Sequence, residues 1–344
     1  MGKRPRKHYD YNRAGVAMLT LKANPGIWFC RITQESFALS PVGKLVQKEL
    51  LGIPGFYEQV KIGQYQIMPD HLHVLVHVVC DLPPGVTLQR IMRGFKLGVN
   101  NACSEANGGK RIRVFEKGAY DSLVFDREHL AREVAYIRDN VRRYRLLKAN
   151  PELFQKAAML MTLPDGVPLW GFGNRFLLEH PRKVAVQFSR RTTEAEWPEI
   201  EEQLADYLAQ GYVFVSPFIS SFEKRVLQEV VAQGGRAIRL THRFFGERYK
   251  PAGRLFDLCS QGRLLELSVA GAFPRFARLD RAACLVLNGV MGVIATTQWS
   301  QRGAQRGVEE SDHAVVATYA AAHVFNLSTQ RSTVWSQFHR LHIR

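Results

Sequence analysis

The sequence lacks most of what marks secreted, membrane-spanning or repetitive proteins. Its five cysteines (Cys30, Cys80, Cys103, Cys259 and Cys284) are scattered without Cys-x-x-Cys spacing, which argues against both a disulfide framework and a zinc ribbon. They read as small apolar side chains for a core. No apolar run is long enough to span a bilayer. The basic start, Met1-Gly2-Lys3-Arg4-Pro5-Arg6-Lys7, is not followed by a hydrophobic segment, so it does not read as a secretory signal. The expectation is a cytoplasmic protein with no membrane partner. Internal repeats and low-complexity segments are absent as well. Acidic residues are scarce: 31 Asp and Glu stand against 47 Lys and Arg, a formal charge of +16.

That imbalance implies a polyanionic partner or a solubility bias, and its distribution narrows the choice. Residues 1–150 hold 24 Lys and Arg against 13 Asp and Glu, and residues 151–344 hold 23 against 18. The first half is the more basic, as a DNA-handling domain requires, because neutralising phosphates supplies most sequence-independent affinity. A chain of 344 residues with 46% hydrophobic content is large enough for two domains.

The strongest strand signal lies at Tyr65-Gln66-Ile67-Met68-Pro69-Asp70-His71-Leu72-His73-Val74-Leu75-Val76-His77-Val78-Val79. Side-chain alternation puts His71, His73, Leu75, His77 and Val79 on one face and Leu72, Val74, Val76 and Val78 on the other. The second face is wholly apolar. Two imidazoles two residues apart can converge on one divalent ion, although a His-x-His pair alone is common and more often structural. Pro69 cannot donate to a ladder, so pairing is expected to begin near Asp70. His77, one pair further along, reads as a supporting or structural residue.

From Asp126 to Leu147 the periodicity predicts an amphipathic helix with Leu130, Val134, Ile137 and Val141 as its buried stripe. Tyr136 and Asn140 fall on a flank one turn apart, so neither is needed for the core, and Arg143 lies on the same flank. An exposed tyrosine and a solvated asparagine explain them equally well.

Taken together, these motifs resemble the HUH single-tyrosine transposases, specifically the REP-associated tyrosine transposases. The likeness also takes in Tyr9-Asp10-Tyr11, Ile91-Met92-Arg93-Gly94-Phe95-Lys96, Val114-Phe115-Glu116-Lys117-Gly118-Ala119-Tyr120-Asp121 and Tyr136-Ile137-Arg138-Asp139-Asn140, over residues 8–150. The chain departs from the family pattern at Phe115 (usually Trp), Ser122 (usually His) and Val141 (usually Pro). The resemblance implies an α+β ferredoxin-like HUH domain with an antiparallel sheet. It further implies Tyr136 as nucleophile, with His71, His73 and Asn140 holding Mg²⁺ or Mn²⁺. The implied reaction is single-stranded DNA cleavage and strand transfer at hairpin-associated sites through a 5′-phosphotyrosine. A homodimer is the implied assembly, and the DNA contacts are assigned to Lys3, Arg4, Arg6, Lys7, Tyr9, Tyr11, Arg93, Lys96, Arg113, Lys117 and Arg143. A solvated helix face accounts equally for Arg93 and Lys96, and a basic tail for the arm.

Elsewhere in the first half, residues 16–23, 28–39 and 57–67 read as strands, with helices at 42–51 (stopping near Gly52 and Pro54) and 87–103. Residues 1–155 are expected to form the first domain, and the Pro- and Gly-rich stretch 156–173 reads as a linker. Residues 174–296 alternate short apolar runs (183–188, 212–215, 237–240, 264–269) with helical segments, which predicts a doubly wound α/β domain with parallel strands. It weakly resembles the Rossmann-like domain of DNA processing protein A.

In that family a glycine-rich loop after the second strand cradles phosphate, whereas here Ser216-Pro217-Phe218-Ile219-Ser220-Ser221 stands there. Ser220 and Ser221 can either cap the following helix or help its N-terminus face an anion. Arg190, Arg191, His242 and Arg243 follow predicted strands, where such sheets bind ligands, and a solvated loop explains them as well. Residues 297–344 form a C-terminal extension, with a helix expected at 314–325. The alternative overall reading is a catalytically weak DNA-binding regulator with a nucleotide-sensing α/β domain.

Overall fold

Two short-period patterns, one alternating and one continuously apolar, give two different sheets. The computed structural model describes residues 12–163, 166–188, 192–247, 249–270 and 278–299. The chain divides after Ala149 into two compact units.

In the first unit β1 (Gly15–Lys22) is followed by a small hairpin of β2 (Cys30–Ile32) and β3 (Phe37–Leu39), then α1 (Pro41–Phe56), β4 (Val60–Ile67) and β5 (His71–Val78). After these come α2 (Leu88–Ala106), β6 (Tyr120–Val124) and α3 (Arg127–Ala149). The main sheet runs β4-β5-β1-β6, antiparallel throughout, so β5 and β1 are the two inner strands. Leu72, Val74, Val76 and Val78 point to one face and pack with Val46 and Leu50 of α1 and Ile91, Phe95 and Val99 of α2. Each such side chain, taken out of water, stabilises the unit by roughly 1.5–3 kcal/mol. Ser40 and Thr87 start the two helices by accepting from the amides of Gly43 and Arg90. The other face is covered by α3, through Ile137 on Met18 and Leu75, with Val16, Val124, Leu130 and Val134 around them.

Three expectations for this half need correction. Residues 28–39 do not continue into one strand: β2 and β3 pair only with each other, joined by a turn in which Thr33 and Ser36 hydrogen-bond. The helix expected to stop near Gly52 runs on through Pro54 to Phe56, because a proline in a last turn removes only one amide bond. Asn140, placed away from the core by periodicity, is buried, while Val141 stays only half-buried and outside the apolar cluster.

In the second unit the stretch read as a linker is ordered sheet: β7 (Lys156–Thr162) and β8 (Pro168–Gly173) form an antiparallel hairpin. Its glycines serve strand packing, since a Cβ on Gly173 (φ +108) would sit 2.3 Å from the carbonyl oxygen of Leu264. Then follow β9 (Lys183–Val186), α4 (Trp197–Ala209), β10 (Val213–Ser216), α5 (Ser221–Ala232), β11 (Arg236–Thr241), α6 (Arg254–Ser260), β12 (Leu264–Ser268), α7 (Arg281–Ile294) and β13 (Thr297–Trp299). The sheet order is β13-β9-β10-β11-β12-β8-β7, with the first five strands parallel and the hairpin antiparallel at the edge. Trp197, Leu204, Phe222 and Val226 of α4 and α5 cover one face, and Leu287, Val290 and Met291 of α7 the other. The described residues are mixed α/β: a four-stranded antiparallel sheet with the separate β2–β3 hairpin, then a seven-stranded, largely parallel sheet with helices on both faces. The residues 1–11, Arg190, Arg191 and the helix expected at 314–325 lie outside the described residues.

A candidate metal and nucleic-acid site on the histidine strand

The inner position of β5 sets the site. Partners in register across antiparallel strands share a face, so His73 stands in one row with Gln66 of β4, Thr20 of β1 and Tyr120 of β6. One row outward, His71 is opposite Lys22. The same face carries the apolar Met18 and Leu75 in the next row inward, which α3 covers. A polar end and an apolar end thus share one face.

At the polar end the two imidazoles turn towards each other. Nε2 of His71 lies 3.1 Å from Nε2 of His73, and their rings meet edge-on with centroids 4.5 Å apart. The other nitrogen of each ring is held. Asp70 Oδ1 accepts from Nδ1 of His71 at 2.7 Å, and Thr20 Oγ1 lies 2.8 Å from Nδ1 of His73. Because the carboxylate can only accept, His71 carries its proton on Nδ1 and offers a lone pair from Nε2. Where Thr20 donates to Nδ1 of His73, the Nε2–H of His73 donates to Nε2 of His71; where Thr20 accepts, both Nε2 lone pairs converge and a cation between them relieves their repulsion. A separation near 3 Å is also what two neighbouring ligands about 2.1 Å from a metal require. An outer oxygen partner on each ring nitrogen that faces away is the usual support for ligating histidines.

His73 is buried, and burial, with His71 beside it, pushes its pKa down from 6.5 to about 3. The hydrogen bond from His71 holds the Asp70 carboxyl below its ordinary value. In the unfolded chain the His73 imidazole takes up a proton below about pH 6.5, and in the folded chain only near 3. Between those values the unfolded state binds more protons, so stability falls as pH falls. We expect chemical denaturation of the metal-free protein to show stability steady above pH 7 and declining from about 6.5 downwards, with His73→Gln flattening that decline.

Helix α3 brings the remaining groups. The ring of Tyr136 stands edge-on to His73, centroids 5.4 Å apart, with the side chain still 42% exposed. Burial raises the Tyr136 pKa, the positive charge of Arg143 lowers it and Glu133 raises it. One turn on, Asn140 is 8% exposed, and its amide nitrogen donates to the carbonyl of Tyr136 at 2.9 Å. That bond fixes the amide and leaves Oδ1 as the atom it can offer. Among the described residues no group of three or more His, Cys, Asp and Glu is placed to hold a metal ion. The donors brought together here are the two imidazoles of His71 and His73, and Asn140 lies one turn along α3 from Tyr136, whose ring meets His73.

The other candidate residues divide. Arg93 is exposed on α2, which covers the opposite sheet face from the histidines. Lys96 donates to the carbonyls of Glu116 (2.9 Å) and Gly118, and its ammonium stands 5.7 Å from the Phe115 ring. It therefore braces the loop before β6 through two of its three donors. Arg113 and Lys117 are exposed on a segment that runs beside Lys22–Asn24, at the same sheet end as His71. His77 is exposed, cut off from the pair by Leu75 and its apolar cluster. Lys3, Arg4, Arg6, Lys7, Tyr9 and Tyr11 lie outside the described residues.

Sequence reasoning missed Thr20, Asp70, Lys22 and Tyr120 as members of this site. The alternation of β1 was the available signal, since it sets Thr20 and Lys22 on the face away from Leu19 and Leu21.

In the second unit Ser220 caps α5, and Glu223 completes a capping box. The Glu223 carboxylate accepts from the amides of Ile219 (2.7 Å), Ser220 (3.1 Å) and Phe188 (3.4 Å), which sets a negative charge beside the loop that leads into that helix. His242 and Arg243 lie in the turn after β11, where the Arg243 carbonyl accepts from Ser268 Oγ.

No family model matches the chain. An uncharacterized protein of Haemophilus influenzae is 26% identical over 153 residues, which is 39% of this chain and 84% of that protein. Among solved structures, a REP-associated tyrosine transposase bound to a REP hairpin is similar at a TM-score of 0.31 and 14% identity, over 41% of this chain and 74% of that one. DNA processing protein A from Helicobacter pylori, described with a single-stranded DNA binding mode, is similar at 0.35 and 16% identity, over 48% and 78%. That from Streptococcus pneumoniae is similar at 0.33 and 15%, over 57% and 68%. These are distant likenesses of fold.

Proposed function

We propose that the first unit is a metal-dependent single-stranded DNA endonuclease and strand transferase of the HUH single-tyrosine type, with Tyr136 as nucleophile. The observation that carries this reading is the 3.1 Å approach of the His71 and His73 Nε2 atoms with the Tyr136 ring beside them. The order of elements supports it: β1, α1, β4, β5, α2 and β6 follow one another as βαββαβ around an antiparallel sheet, which we read as ferredoxin-like. We read the second unit as Rossmann-like.

His71, His73 and Asn140 would hold Mg²⁺ or Mn²⁺, which supplies positive charge to the nonbridging oxygens of a phosphodiester. The Tyr136 oxygen attacks phosphorus, and the bond from phosphorus to the 3′ oxygen breaks. The phenol's proton ends on that leaving oxygen, directly or through water. The products are a 5′-phosphotyrosine and a free 3′ hydroxyl, with the ester energy kept for rejoining without ATP. Arg143 favours the phenolate form against the burial that opposes it. Seating Tyr136 and Asn140 one turn apart on α3 fixes nucleophile and ligand to one rigid element. The substrate would be single-stranded hairpin DNA, the location the cytoplasm and the working form a homodimer.

The departures from the family pattern at Phe115, Ser122 and Val141 favour a second reading, a DNA-binding regulator with weak catalysis. A nucleotide-sensing role for the second unit would have to accommodate the Glu223 carboxylate, which accepts from the amides of Ile219 and Ser220 just before α5. A suicide hairpin oligonucleotide, cut so that the leaving strand diffuses away, separates the two. With Mn²⁺ the wild-type chain should form a covalent adduct that EDTA abolishes and that Tyr136→Phe reduces to background. Tight binding without any adduct supports the regulator.

A further inference from the structure

The path of α3 leaves one corner of the histidine face open. The helix starts over Val16 and Val124, crosses Met18 and Leu75, reaches β4 through Arg138 donating to Gln64 (3.1 Å), and ends at the β2–β3 turn, where Arg145 donates to the Thr33 carbonyl (2.7 Å). It moves from β6 towards β4 as it goes. At the outer ends of β1 and β6, Tyr120 is exposed and Lys22 is half-buried beside it.

Lys22 is opposite His71 in register, and its Nζ stands 5.6 Å from the centre of the Tyr120 ring. Tyr120 is 54% exposed, an unusual position for a large aromatic on a sheet face, and shares the row of Thr20 and His73. Two strand spacings separate it from His73, about 10 Å. Arg113 and Lys117 flank the same corner, while Asp121 of β6 is paired with Leu19 and points to the opposite face. Asp70 is held by His71. Glu116, whose amide donates to the Lys22 carbonyl, and Asp70 are the acidic members of this corner against Lys22, Arg113 and Lys117, so it is net positive around an exposed aromatic face, which is the chemistry of single-stranded nucleic acid binding: cations for the backbone and a π-surface for a base.

We infer that Lys22 and Tyr120 form a single-strand binding wall beside the histidine pair, Lys22 on a backbone phosphate and Tyr120 stacked on one base. This rests on the reading of the first unit as an enzyme of single-stranded DNA. Lys22 and Tyr120 bind and position; they do no bond chemistry.

The test is equilibrium binding of a fluorescent single-stranded oligonucleotide to the full chain over a salt series, for wild type, Lys22→Gln, Tyr120→Ala and Tyr120→Phe, with thermal melting to verify folding. Lys22→Gln should reduce the slope of log K against log salt by about 0.7, one phosphate on a single strand. Tyr120→Ala should weaken binding about 5- to 150-fold, and Tyr120→Phe should retain the wild-type affinity. An abasic scan should find one position whose loss weakens wild type but not Tyr120→Ala. Wild-type affinity and salt slope in both Lys22→Gln and Tyr120→Ala overturn the inference, and so does a wild-type chain that binds no single strand. If binding is lost as expected while Tyr136 forms no adduct, the wall stands and the transferase reading fails.

Discussion

Replacing His71 with alanine should lower adduct formation at least about 100-fold while leaving the fold intact, because even the outer partners of ligating histidines change affinity or activity by 10–100-fold. His71 is only half-buried, sits at the first residue of β5, and makes its side-chain bonds to Asp70 and His73 rather than to the core. Thermal stability should therefore change by no more than about 1 kcal/mol. His73→Ala should be as inactive but less stable, since that ring is buried and held by Thr20. Asp70→Asn should reduce affinity for Mn²⁺ by about 10–100-fold by loosening the orientation of His71. Electron paramagnetic resonance of free Mn²⁺ during titration reads all three without reference to catalysis. Unchanged Mn²⁺ affinity in His71→Ala would remove the pair from the metal site.

The second large effect belongs to the other unit. Glu266 of β12 is 1% exposed on an inner strand, between parallel β11 and antiparallel β8, a place where a charge is costly unless paired. Its register partner Arg239 donates to it at 2.7 Å, and Tyr249 donates its hydroxyl to the other carboxylate oxygen. Burial, then the carboxylate, raises the Tyr249 pKa. Arg239→Met should cost about 3–5 kcal/mol, because it strands a carboxylate that water cannot reach. Glu266→Met should cost less, since the guanidinium left behind is 37% exposed and can turn to solvent. The double variant should recover most of the loss or exceed wild-type stability, as buried ion pairs often do when replaced by apolar side chains of similar size. Urea denaturation of the four proteins gives the cycle. An Arg239→Met protein as stable as wild type would mean that the pair does not hold the unit together.

Much of this architecture was legible in the sequence, for a physical reason. The alternation of β5, with Leu72, Val74, Val76 and Val78 against His71, His73 and His77, is a period-2 signal that specifies both the strand and its buried face. The continuous apolar runs of β9 to β12 likewise specify strands buried on both sides, and they pair in parallel as expected. The failures are tertiary. Residues 156–173 carry turn chemistry and little periodicity, yet they become a hairpin because β12 offers an open edge that Trp170 to Gly173 complete. Asn140 was placed off the core because periodicity assumes a straight helix on a uniform surface; α3 crosses its sheet obliquely, so its contact line drifts from Val134 and Ile137 to Asn140. Thr20 and Lys22 were invisible because their importance lies in register with His73 and His71, and register is not written in either strand alone.

The most direct measurement of the central claim is the location of the covalent bond. The adduct trapped with a suicide oligonucleotide would be digested with trypsin and nuclease and mapped by mass spectrometry. We expect the nucleotide remnant on the peptide from Glu133 to Arg138, attached to Tyr136. A remnant on the peptide of Tyr120, Tyr144 or another nucleophile, or no trapped remnant from an active preparation, would contradict the account.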